Sequence, residues 1–158
     1  MRVRPGNFPT VRLSQFAVFY ASNVNLFSRI RSLWTKKDFY GLFTTTASEY
    51  WQRHYNFGKP SSRKNTKLSR AFKDNLIINT VLPLKNLDAR ERGINIYPRL
   101  RKLISHLYKE DNRIVGAYRS LGFPVHHALD SQALIQLYRF YCEKNRCLEC
   151  ALGNQILN

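Results

Sequence analysis

Every cysteine of this 158-residue chain, and two of its four histidines, fall between His126 and Cys150. The thiols stand as Cys142-x4-Cys147-x2-Cys150. Thiolates at such spacing hold zinc in tetrahedral geometry, and the same pattern opens one class of iron–sulfur ligand set. A structural site of either kind takes four protein ligands. The fourth would have to come from His127 or His126, from His54 or His106, from a carboxylate, or from another chain. Equally, the three could be small, weakly polar side chains packed where two helices meet. The missing fourth ligand weighs towards packing. The odd count, with nothing like a secretion signal at the N-terminus, argues against disulfides.

A second chemistry lies in the charge. The chain carries 26 Lys and Arg against 10 Asp and Glu, a net charge of +16. Residues 1–73 hold 14 of the basic residues and only 2 acidic ones. Such a field favours a polyanion, either nucleic acid or an acidic protein surface. Its densest part is a loop, 57–68, running into a helix. There Gly58, Pro60, Ser61, Ser62, Asn65 and Thr66 break structure, and Lys59, Arg63, Lys64, Lys67, Arg70 and Lys73 occur with no acidic residue among them. These six are the candidate phosphate contacts. Just before them, Tyr50, Trp51, His54 and Tyr55 form an aromatic-dense stretch, expected as one or two helical turns. Its rings could stack on bases, but aromatics at helical spacing are more often core, and core is the favoured reading.

The elements that must position these groups read as helices. Asp130 or Ser131 is the expected cap of a helix in which Leu134, Leu137, Tyr138 and Tyr141 recur, reaching about Cys142. Residues 143–146 would turn into a second helix from Cys147 to Ile156, placing Cys147 and Cys150 one turn apart. At the other end, Pro5 and Pro9 make residues 1–9 an extended arm bearing Arg2 and Arg4. Thr10 is the expected cap of a helix whose stripe is Leu13, Phe16, Ala17 and Tyr20. Ser22 to Asn25 interrupt it, and a further segment to Trp34 turns Leu26, Phe27, Ile30, Leu33 and Trp34 inwards. A short helix falls within 36–46. Ser69 caps an apolar helix carrying Leu76 to Leu84, perturbed at Pro83. Helices at about 98–107 and 111–121 follow, the second ended by Gly122 and Pro124.

With 44% hydrophobic and 13% aromatic residues, the chain can build a core. No apolar run approaches the ~20 residues that span a bilayer, and the few cysteines fit a reducing cytoplasm. Phosphate-binding glycine loops, an H-E-x-x-H motif and paired carboxylates are all missing, so no catalytic residue is assigned.

Several stretches together resemble one bacterial family, the domain of unknown function 2851. They are Arg2-Val3-Arg4-Pro5-Gly6-Asn7-Phe8-Pro9 with Arg12-Leu13; Ser48-Glu49-Tyr50-Trp51 with His54-Tyr55 and Phe57-Gly58; Leu76 to Val81 with Pro83; Asp130 to Leu134; and Tyr141-Cys142 with Cys147, Leu148, Cys150 and Gly153. The resemblance implies a longer protein of which this chain is the C-terminal part. It also implies an upstream half with an acidic and Glu-x-His pattern similar to a divalent-metal nuclease core. That pattern has no counterpart here. The resulting expectation is an all-α single domain over 1–158, with six to eight short helices and an N-terminal arm. Its expected role is that of a non-catalytic basic module accessory to a nuclease-like domain. The alternative is a structural domain docking on an acidic partner, and zinc is the candidate cofactor.

Overall fold

Proline and short polar caps decide where the helices begin. The structure, a computed structural model, describes residues 8–157. Most of the expected arm, with Arg2 and Arg4, therefore lies outside the described residues. Phe8 is extended, and Pro9 takes the first helical position of α1 (Pro9–Ala21), where a missing N–H costs nothing. Thr10 sits inside this helix instead of capping it, and its hydroxyl donates to the Tyr55 carbonyl at 2.7 Å. After Asn25, which adopts a left-handed φ of 55°, come α2 (Leu26–Ser32) and α3 (Lys36–Leu42). Thr35 and Asp38 close a reciprocal capping box on α3.

Next come α4 (Glu49–Gln52) and an antiparallel hairpin of β1 (His54–Asn56) and β2 (Lys59–Pro60). Gly58 at the hairpin tip has φ +67°, a conformation that a side chain would oppose. The all-α reading holds for the described residues apart from this hairpin. Ser69 does cap α5 (Arg70–Leu76), accepting from the Phe72 amide. A π-helical turn, Ile77–Val81, then joins α5 to α6 (Leu82–Glu91). The perturbation expected at Pro83 is this turn. Proline has no N–H, and its ring crowds the carbonyl four residues back, so the helix widens just ahead of it.

By its contacts, the chain divides into two compact units between Arg92 and Gly93. In the first, Phe39, Ile77 and Val81 are fully buried, joined by Val11, Ile30, Leu42, Phe43 and Ala89. Here α1 inverts its sequence pattern. Leu13, Phe16 and Tyr20 are 67%, 63% and 65% exposed, while Ser14 and Gln15 are buried. Gln15 donates to the Thr66 carbonyl, and Ser14 Oγ accepts from the Ser48 amide at 2.9 Å. Of the expected inward set on the next segment, Ile30 alone is buried. Arg12, just beyond the arm, lies over the Phe72 ring at 3.9 Å, and burial lowers its pKa from the usual value.

The second unit contains α7 (Tyr97–Ser105), α8 (Arg113–Ser120), α9 (Ala128–Leu137) and α10 (Ala151–Leu157). Pro98 falls in the first turn of α7, and Gly122 with φ +87° follows α8, as the sequence predicts. Val115, Val125 and Ile135 form a core flanked by Ile114 and Leu134. The helix α9 starts three or four residues earlier than the cap at Asp130 or Ser131 would place it. His127 is its cap position, and Asp130 reaches back to accept from the amides of His126 and His127, at 2.9 and 3.2 Å. No helix among the described residues is long and apolar enough to cross a membrane.

Candidate nucleic-acid interface

The six basic residues singled out in the sequence divide by what they touch. Lys59, Arg63, Lys67 and Arg70 are exposed. Lys64 instead lays its ammonium 3.0 Å from the centre of the Tyr55 ring, where no hydrogen-bond acceptor meets it, and burial lowers its pKa. Lys73 donates to the Tyr40 carbonyl at 2.8 Å, and burial lowers its pKa as well. Both are held by the first unit itself, so four cations, not six, stand out to solvent.

The segment that carries them is fastened at defined points. The Ser61 amide donates to the Arg53 carbonyl at 2.6 Å, and the Lys64 amide to the Gln52 carbonyl at 2.9 Å. Arg63 also donates to the Gln52 side chain at 3.3 Å. Thr66 is buried, its carbonyl held by Gln15 and its hydroxyl accepting from the Ala47 amide at 3.1 Å. Beyond β2 the expected loop is thus irregular but anchored beside α4. The anchors of Thr66 come from α1 and from Ala47, too far away in sequence for local pattern to reveal.

Beside it, the aromatic stretch is not core. No residue of α4 is buried. Tyr50 stacks flat on His54, with ring centres 3.9 Å apart and planes within 1°. Trp51 meets Tyr50 edge-on at 5.1 Å and Phe57 at 4.9 Å. Phe57, at the hairpin tip, is 79% exposed. The sequence signal for this was present in the Phe57-Gly58 pair, since a glycine suited to positive φ between short extended segments marks a hairpin tip.

The first unit also buries an electrostatic pair of elements. Asp74 accepts from Tyr40 at 2.8 Å and lies 3.4 Å from the Lys36 ammonium. Burial first, and the Asp74 hydrogen bond second, raise the Tyr40 phenol well above its usual pKa. Lys85, almost wholly buried, donates to the Arg31 carbonyl at 2.9 Å and lies over the Trp34 ring at 3.8 Å. These groups are packed into the fold and present no open chemistry.

The cysteines do not assemble a metal-ligand set, and among the described residues no three His, Cys, Asp or Glu side chains do. The expected helix from Cys147 to Ile156 is broken. Cys147 opens a short 3-10 turn, Cys150 is extended (φ −95°, ψ 128°), and α10 begins after it. Cys142 and Cys147 therefore face solvent while Cys150 is buried. His126 and His127 stand at the start of α9, whereas Cys142 ends the π-helical turn Tyr138–Cys142 that continues it. About fifteen residues at 1.5 Å rise separate them by roughly 20 Å, so neither histidine completes a site with that thiol. The His127 ring lies 3.2 Å from Asp130 without hydrogen-bond alignment. Cys142 instead meets the Tyr118 hydroxyl at 3.2 Å, and burial together with this contact raises the Tyr118 pKa.

A family model described as "protein of unknown function (DUF2851)" matches residues 1–113. This span takes in the arm, the aromatic and basic stretch and the apolar helix, and it stops before Asp130 and the cysteines. Neither curated proteins nor solved structures return a match.

Proposed function

The chain belongs to the DUF2851 family of proteins of unknown function, and from that premise we propose that it is a non-catalytic basic module that binds nucleic acid beside a nuclease-like companion domain, in the cytoplasm. The observation that carries this reading is the exposure of Lys59, Arg63 and Lys67 on an anchored segment and of Arg70 at the start of α5, with no acidic residue between 57 and 73. Cations fixed on a scaffold neutralise phosphates at a smaller ordering cost than cations on a mobile tail. Three free thiols fit a reducing compartment. The test is fluorescence anisotropy with labelled DNA at several salt concentrations. If all four cations meet duplex phosphates, the slope of log affinity against log salt should be about −3.6, at roughly −0.9 per contact. Neutralising Arg63 and Lys67 should flatten it by about half. Absence of binding at low salt would overturn the reading.

The second reading is docking on a companion domain, favoured by the exposed Leu13, Phe16 and Tyr20 face of α1. Serine at these three positions would weaken that association without changing the salt slope.

A further inference from the structure

The aromatic cluster of α4 and the hairpin adds a property that charge alone does not carry. Phosphate contacts take duplex and single strand alike, whereas an open ring face takes only a base free of its own stack. We infer that Phe57 and its neighbours form a stacking platform for an unpaired base, and that the chain prefers single-stranded nucleic acid. This rests on the nucleic-acid reading above and deepens it.

Three features of the site support the assignment. First, the tip is built to hold an aromatic outward. The Gly58 amide donates to the Tyr50 hydroxyl at 3.0 Å, and the positive φ of Gly58 turns the chain so that Phe57 projects. Second, the tip is braced. Phe57 rests edge-on against Trp51, Trp51 against Tyr50, and Tyr50 flat against His54, whose Nδ1 donates to the Tyr50 carbonyl at 2.8 Å. A braced ring loses little freedom when a base settles on it. Third, the cations flank the rings. Lys59 pairs with Asn56 across the hairpin, and the hydrogen bonds of Ser61 and Lys64 to Arg53 and Gln52 carry Arg63 alongside α4. A ring cluster with cations beside it suits the bases and phosphates of an extended strand. An acidic peptide would use the cations but would leave the rings bare.

The experiment uses the full chain with labelled oligothymidine and with a duplex of equal length, at fixed low salt. Oligothymidine should bind more tightly than the duplex. Phe57→Ala should weaken oligothymidine binding by about 5- to 150-fold, the range for losing one stacked base, and should leave duplex binding and the salt slope unchanged. Phe57→Tyr should retain the single-strand preference, while Phe57→Leu, apolar but without a π-face, should not. Because Phe57 is so exposed, none of these changes disturbs the core. Equal affinity for both nucleic acids, or a Phe57→Ala variant that binds oligothymidine as the parent does, overturns the platform and leaves the nucleic-acid reading intact. No binding to either overturns both.

Discussion

Gly153→Ala is a substitution for which helix propensity and packing predict opposite signs. Gly153 lies inside α10, where alanine would ordinarily gain about 1 kcal/mol of helix stability. A Cβ at this position, however, would lie 3.0 Å from the Cys147 carbonyl carbon, 3.1 Å from its Cα and closer still to its oxygen. These are backbone atoms of the preceding 3-10 turn, so the clash is relieved only by shifting that turn or lifting the helix. Overpacking costs about 1–3 kcal/mol, and an approach this close to backbone atoms, which cannot swing aside as a flexible side chain would, falls at about 2–3 kcal/mol, which leaves a net loss of about 1–2 kcal/mol in the seating of α10. The loss is local, because no residue of α10 is buried, and a global melt would hardly register it. Thiol reactivity would register it. Cys142 and Cys147 are exposed and should react at once with a disulfide reagent, while Cys150, at 6% exposure, waits for opening. In Gly153→Ala the slow thiol should react roughly 5–30 times faster, the factor that corresponds to 1–2 kcal/mol. A slow phase unchanged or slower still, with amides of 151–157 better protected, would show that the close approach to Cys147 does not govern this helix.

Other expectations concern stability. Lys85→Ala removes the donor to the Arg31 carbonyl and opens a cavity beneath Trp34, and should lower stability by about 3 kcal/mol in denaturant unfolding; Lys85→Met restores the volume but not the donor, and should fall between. Thr35→Ala removes half of the capping box on α3 and should cost about 1 kcal/mol, measured the same way. Partial burial raises the Asp130 pKa, but the amides of His126 and His127 and the nearby imidazoles outweigh it, so the carboxyl sits below its usual value. Its contribution to the second unit is therefore complete above the ordinary carboxylate range and disappears as pH falls through the lowered value. Acid unfolding of Asp130→Asn should lack that step; an unchanged acid profile would refute the assignment.

Several features were set by local chemistry and were legible in the sequence. The positive field, the helical class, the interruption at Ser22 to Asn25, the cap at Ser69, the start at Pro98 and the stop at Gly122 each follow from side chains acting on their own backbone within a few residues. Others depended on partners far along the chain. The apolar stripe of α1 faces out because Ser14 and Gln15 find Ser48 and Thr66, 34 and 51 residues away. The Gln15 bond also fastens the basic segment at Thr66, and the commitments of Lys64 to Tyr55 and of Lys73 to Tyr40 decide which cations are available. The spacing of the cysteines could not show that the backbone turns extended at Cys150, whereas the helix that separates His127 from Cys142 was legible in the sequence. Periodicity places a ring on a helix face. Whether that face is covered is settled by what packs against it, and for Tyr50, Trp51 and Phe57 only the tertiary structure decided that.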